Sequence, residues 1–273
     1  MSRAESTRLR RPRTRSADGY ALTVRRLASA QKSAAPGAPP YSIYVNRRVG
    51  RYLAAWAYRR GFSPNGVTAI SAAFTFIGVA LIALVPPQWW LGVVVWLALA
   101  IGYAFDSADG QVARLRGGGS AAGEWLDHIV DCIKIATLHG VVLVAAYRFF
   151  DLPNAAWLLV PIAYGVVASV SFFAMILNDQ LKANRRQAAS AAHSPVPTRA
   201  HRGALKSVLL LPTDYGILCA VFLLLGFPPV FFVIYTLMAV ANTGHLTLAL
   251  AKWFTDMRVL DDRNLNSQKR KAS

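Results

Sequence analysis

Apolar tracts of close to the roughly 20 residues that carry a helix across a bilayer alternate along this chain with blocks of basic charge. The tracts run over residues 66–85, 89–105, 121–147, 155–178, 207–226 and 229–253. Composition agrees: 55% of the 273 residues are hydrophobic and 16% charged, yet 30 Lys and Arg face 13 Asp and Glu, a net charge of +17. A soluble nucleic-acid binder of that charge would spread it through the sequence and dilute its apolar content. The pattern predicts an all-α, polytopic membrane protein of six transmembrane helices preceded by an N-terminal interfacial amphipathic helix. Soluble globular, collagenous and wholly disordered chains are excluded.

Helix breakers mark the short turns, as at Pro86, Pro87, Pro228 and Pro229, while Pro161 is expected to kink the fourth span. Cys132 and Cys219 stand alone in apolar runs and read as core packing residues, since neither a disulfide framework nor a zinc site has its ligands. Fourteen Lys and Arg fall in residues 1–60, six in 182–206 and six in 252–273. Six spans put all these blocks on one side, so the positive-inside rule places both termini and the 107–120 and 179–206 loops in the cytoplasm of an integral, plasma-membrane protein.

The chain divides into a disordered basic arm (1–40), a membrane domain (41–253) and a basic cytoplasmic tail (254–273). The arm lacks the apolar core of a secretory signal and suits the anionic cytoplasmic leaflet; a transit peptide is the alternative, and no folded nucleic-acid reader accompanies it. Within 41–60, Ile43, Val45, Val49, Tyr52, Leu53, Trp56 and Ala57 recur at roughly helical spacing between arginines, as in a helix lying in the membrane interface.

Five of the 13 acids, Asp106, Asp109, Glu124, Asp127 and Asp131, fall within 26 residues at helix ends. Ionisable groups in a span are costly and mark function. Asp106 and Asp109 are spaced i, i+3 and Asp127 and Asp131 i, i+4, so each pair shares a helix face. A polar loop between them lets four carboxylates converge. Such a cluster calls for hard divalent cations, Mg²⁺ or Mn²⁺ and two of them by charge, since no Cys or His cluster suits zinc. Gly110, Ala113 and Gly123 leave room for a ligand to approach the backbone. Gly117, Gly118 and Gly119 are no P-loop, because no Gly-Lys-Ser/Thr follows.

The spacing Asp106-x2-Asp109-Gly110-x2-Ala113-Arg114-x8-Gly123-x3-Asp127-x3-Asp131 resembles the full signature of the CDP-alcohol phosphotransferase (phosphatidyltransferase) family, and Pro64, Asn65 and Thr68 also look like that family. The resemblance covers about residues 41–253. It implies an enzyme of phospholipid biosynthesis in which an alcohol hydroxyl attacks the β-phosphate of a CDP-linked donor, CDP-diacylglycerol or a CDP-alcohol, and CMP leaves. It further implies that Asp106, Asp109, Asp127 and Asp131 hold the metals, that Asp131 is also the general base, and that Gly110, Ala113, Arg114 and Gly123 line the nucleotide. Membrane lipids, the donor, an alcohol acceptor and a possible homodimer are the implied partners; nucleic acid is not.

Glu124 to His128 is similar to a stretch of the choline and ethanolamine phosphotransferases, which makes His128 a second candidate base. Lys134, Arg202 and Lys206 are candidates for an acceptor phosphate; Lys134 alternatively pairs with Asp131, three residues before it, and the other two alternatively anchor a helix end to headgroups. His139 and His245 read as packing residues and Asp214 as a helix N-cap. Intramembrane prenyltransferases, the rival enzyme class, set their paired aspartates far apart and have no use for Gly110, Ala113 and Arg114. A divalent-cation transporter needs carboxylates near the midplane, not at one face.

Overall fold

A helix that caps its own first turn needs less help from its neighbours, and two of the long helices begin this way. Ser63 accepts a hydrogen bond from Gly66 N at 3.1 Å with Pro64 in the first turn, and Ser120 accepts from Gly123 N at 3.1 Å. The computed structural model describes residues 19–29, 39–190 and 213–272, with side chains omitted for 186–190 and 262–272. Its elements are α1 (Tyr20–Ser29), a π-helical turn (Ser42–Asn46), α2 (Arg47–Arg59), α3 (Pro64–Leu84), α4 (Trp89–Leu115), α5 (Ala121–Phe149), α6 (Leu159–Ser190), α7 (Tyr215–Val221) and α8 (Pro228–Ala272). No strand occurs among the described residues.

Among the described residues, five helical stretches are long and apolar enough to cross a membrane: Pro64–Leu84, Trp89–Leu115, Ala121–Phe149, Ala155–Arg185 and Pro228–Asp261. They carry large apolar side chains outward, such as Phe173, Leu237 and Leu248, as a lipid-facing surface requires. The expected tract at 207–226 begins outside the described residues, and its described part holds a shorter apolar helix over Tyr215–Leu224. Much of the arm and residues 191–212 also lie outside them.

Helix α3 is the common neighbour of α4 and α5, which meet each other mainly through it. Small residues set the approach. A methyl group on Gly102 of α4 would stand 3.1 Å from Ser71 O and 3.2 Å from Thr75 N of α3. Ser71 donates to Gly102 O at 2.8 Å at the same level. The larger apolar core, built around Leu91, Leu99, Val142, Phe222, Phe231 and Tyr235, joins α3, α4, α5, α7 and α8. A smaller one, with Ala54, Ala57, Val67, Phe105, Ala108 and Val112, fixes α2 against α3 and α4.

Helix α2 turns its small residues, Gly50, Ala54, Ala55 and Ala57, to the protein and leaves Val49, Tyr52 and Trp56 exposed. Ala57, grouped by spacing with the outward apolar stripe, thus belongs to the protein-facing side. Asn46 Nδ2 donates to Tyr103 O at 3.1 Å and Gln111 Nε2 to Arg47 O at 3.3 Å, pinning this segment to α4.

Two local features qualify the sequence reading. Pro161 lies in the first turn of α6, just after a 3-10 turn over Ala155–Leu158, where a proline is tolerated. Cys219 is buried but Cys132 is exposed, on the outer face of α5. Asp214 caps α7 as expected, accepting from Gly216 N at 3.0 Å, and it also accepts from Tyr41 N at 2.8 Å and Ser42 N at 3.3 Å. His139 is buried and hydrogen-bonded to Tyr235 Oη at 2.6 Å, a packing arrangement.

Candidate active site

The helix of the second apolar tract does not stop where the tract stops. Residues 106–115 continue α4 past Phe105, because Ala108 and Val112 still find apolar cover in the smaller core. The chain then reverses over residues 116–120, with Gly117 and Gly118 at φ 98° and 131°, and enters α5 at the Ser120 cap. Arg116 donates through Nη2 to Gly61 O and Phe62 O, clipping this reversal to the α2–α3 turn.

The reversal brings the carboxylates together as the spacing requires. Asp106, Asp127 and Asp131 each offer an oxygen within 4.8 Å of the others, and all three are half-buried. Asp109 is buried beside them, within electrostatic reach of Asp106 and Asp127. Its Oδ2 accepts from Thr68 Oγ1 of α3 at 2.7 Å and its Oδ1 from Gly110 N. Asp127 Oδ1 is buried with no hydrogen-bond partner among the described residues. An oxygen stripped of water and left unpaired costs about 1–3 kcal/mol or more. A cation bound there would remove that cost, and an all-oxygen donor set of this kind suits Mg²⁺ or Mn²⁺.

Lys134 enters the cluster from α5. Its ammonium donates to Asp106 Oδ1 at 2.5 Å, Asp131 Oδ1 at 3.0 Å and Ser71 Oγ at 3.0 Å. The pairing with Asp131 is legible from the i, i+3 spacing; the contacts with Asp106 and Ser71 span separate helices and are not.

Among the other candidates, Gly110 and Arg114 lie exposed on the outer end of α4, and a methyl group on Gly110 would meet only Arg114 Nη1, at 3.7 Å. Ala113 is half-buried beside them. Gly123 faces the start of α3, where a methyl group would stand 3.2 Å from Asn65 Oδ1. His128 Nε2 is 4.0 Å from Glu124 Oε1, and its ring meets Phe172 of α6 edge-on. Arg202 and Lys206 lie outside the described residues. Sequence reasoning passes over Ser71, one small polar residue in an apolar helix with nothing in its spacing to mark it.

Two facing helices that present a carboxylate cluster at one end of an all-helical apolar bundle define a membrane protein built around a divalent-cation site. Residues 62–244 match the CDP-alcohol phosphatidyltransferase family, and the chain belongs to it. Two curated relatives are both named phosphatidylinositol phosphate synthase. The one from Corynebacterium glutamicum is 39% identical over 95 residues, and the one from Mycobacteroides abscessus is 34% identical over 96. These alignments span 34% and 35% of this chain and 41% and 42% of the relatives' own length. Among solved structures, the phosphatidylinositol phosphate synthase of Mycobacterium tuberculosis in complex with manganese and citrate superposes with a TM-score of 0.47 at 20% identity, covering 74% of this chain and 88% of that one. The same protein with CDP-DAG bound gives 0.47 and 21%, covering 77% and 94%.

Proposed function

We propose that this chain transfers a phosphatidyl or other substituted phosphate group from a CDP-linked donor to an alcohol hydroxyl, with release of CMP, at the cytoplasmic face of a membrane. The observation that carries the reading is the convergence of Asp106, Asp127 and Asp131 from two helices, with the buried Asp127 Oδ1 unpaired among the described residues. Family membership supports the reaction class. The name shared by the two curated relatives favours phosphatidyl as the group moved, and so CDP-diacylglycerol as the donor.

In this reading Asp106, Asp109, Asp127 and Asp131 hold Mg²⁺ or Mn²⁺, two ions by charge. An ion bound by these carboxylates would supply Lewis-acid polarisation of the diphosphate and charge stabilisation for the CMP leaving group. Thr68 fixes the Asp109 carboxylate by the 2.7 Å bond. Gly110 and the small Ala113 leave the backbone open to the nucleotide, Gly123 lets α5 approach Asn65 at its edge, and the planar fork of Arg114 suits its phosphates. Asp131 takes the proton of the acceptor hydroxyl, with His128 the second candidate. Arg202 and Lys206, outside the described residues, supply positive charge to a phosphorylated acceptor.

The same reading makes 41–253 the catalytic membrane domain, with a sixth crossing completed by residues 207–226, α2 lying in the interface, and both basic ends in the cytoplasm. Support for that orientation comes from the charge: the basic blocks and the carboxylate cluster fall on one side of the alternating spans. The test is CMP release by the purified full chain with Mg²⁺, comparing CDP-diacylglycerol with soluble CDP-alcohols against free and phosphorylated alcohols. Release from CDP-diacylglycerol that stops in excess EDTA is expected. Failure of every donor to yield CMP overturns the assignment.

A further inference from the structure

We propose that Lys134 is a resident cation of the carboxylate cluster, holding Asp106 and Asp131 in place without metal and competing with the divalent ion once it binds. The inference rests on the metal-site reading above and adds to it a residue that sets how tightly the ion is held.

Burial comes first. Lys134 is 6% exposed, and taking an ammonium out of water costs several kcal/mol unless its donors are met. All three are met: Ser71 Oγ, Asp106 Oδ1 and Asp131 Oδ1, one acceptor from each of α3, α4 and α5. Ser71, itself fully buried, spends its proton on Gly102 O and so turns a lone pair toward the ammonium. The lysine's position is therefore fixed from three helices, which agrees with α3 being the common neighbour of the other two. No N–H is left over for a substrate phosphate, which separates this role from acceptor binding.

The second step is charge. Two of the three carboxylates whose oxygens converge, Asp106 and Asp131, are the ones Lys134 touches. An ion bound at about 2.1 Å to either would sit roughly 5 Å from the ammonium. A dication and a cation at that distance repel by enough to weaken binding about tenfold even in the dielectric of bulk water, and more in a half-buried site. Lys134 thus does two jobs with opposite signs: it pre-assembles the ligands and lowers their affinity. The resulting site keeps its shape when empty and exchanges its ion readily.

A lysine serving only to pack α5 would behave differently when removed, because loosened ligands bind metal more weakly. Mn²⁺ binding to the purified full chain, followed by the electron paramagnetic resonance of free Mn²⁺ at fixed pH and salt, separates the two. Lys134→Met is expected to bind Mn²⁺ at least about tenfold tighter than wild type, with Lys134→Arg close to wild type. Lys134→Gln, which keeps donors for the carboxylates, serves if the methionine variant does not fold. Equal or weaker Mn²⁺ binding in the neutral variant, with wild-type binding still abolished by Asp127→Asn, overturns the proposal and leaves the metal site standing. Wild-type binding that Asp127→Asn leaves untouched overturns the site itself. The wild-type chain gives an independent reading, because its fold should survive in EDTA, with Mn²⁺ adding only the rise in melting temperature that binding itself brings; collapse of the fold in EDTA would show that the ammonium does not hold the cluster.

Discussion

Replacing Thr68 by Val removes one hydroxyl and leaves shape and branching intact, so it isolates what one hydrogen bond does for the site. Thr68 is 4% exposed and has one proton to give. Asp109 Oδ2 stands at 2.7 Å and Pro64 O at 3.2 Å, and the shorter, charged acceptor wins it. A buried hydrogen bond to a charged group contributes about 1.5–3 kcal/mol. Without it the Asp109 carboxylate keeps the bond from Gly110 N but loses its tie to α3 and gains freedom to turn away from Asp106 and Asp127. If the productive orientation is penalised by that energy, kcat/KM for CMP release falls about 10- to 100-fold. Thr68→Ser, which keeps the hydroxyl, should recover most of it. The assay is CMP release at saturating Mg²⁺, with elution profiles checking that the variants remain folded. A Thr68→Val protein as active as wild type would show that Asp109 is oriented by something other than α3.

Asp127→Asn removes charge from the one carboxylate with an unpaired buried oxygen among the described residues, and CMP release should drop by several orders of magnitude with detergent-extracted folding little changed; near-normal turnover would refute its role as a ligand. Asp131→Asn should cost the range of a general base, about 10²–10⁴-fold, whereas His128→Gln, whose ring faces Glu124 and Phe172, should stay within about 10²-fold of wild type. Equal losses in the two, with Mn²⁺ binding retained, would make His128 the base. For the orientation, Gly119→Cys in a Cys132→Ser background should react with impermeant maleimide only after cells are opened. Gly119 is the choice because it has open space and, unlike Gly117 and Gly118, no positive φ to strain a side chain. Labelling of intact cells would invert the topology.

Periodicity and spacing locate most of this architecture for a simple reason: a span must be apolar over its whole length, and a motif helix must repeat on one face. The features they miss depend on contacts between helices. The second apolar tract ends at residue 105, but α4 continues through Leu115 because its lower face is covered by α2 and α3, and hydropathy reads the loss of lipid, not the gain of a neighbour. Lys134 can be paired with Asp131 by helical spacing. Its bond to Asp106 needs α3 to hold α4 and α5 at a set separation, and the α3–α4 part of that separation is set by Gly102 against Ser71 and Thr75.

The contacts of α2 explain how a bundle suited to lipid can hold four carboxylates at its edge. Beyond Phe105, α4 is too polar for hydrocarbon and too apolar on one side for water. Gly50, with no side chain, lets α2 lie so close that a methyl group there would be 2.8 Å from Ser107 Oγ and 3.1 Å from Gln111 Nε2. Ala54 and Ala57, fully buried, extend that close approach, and Ala108 and Val112 are covered as a result. One side of the α4 overhang is thereby sealed, and the opposite side is left to Asp106, Asp109 and the carboxylates of α5. Two arginines of α2, Arg48 and Arg59, lie exposed on its outer surface, while Arg47 and Arg51 are half-buried. Helix α2 therefore buttresses the side of α4 opposite the candidate site as well as being a surface element. A bulky residue at Gly50 would be felt at Asp106 and Asp109 through the residues of α4 that lie between them.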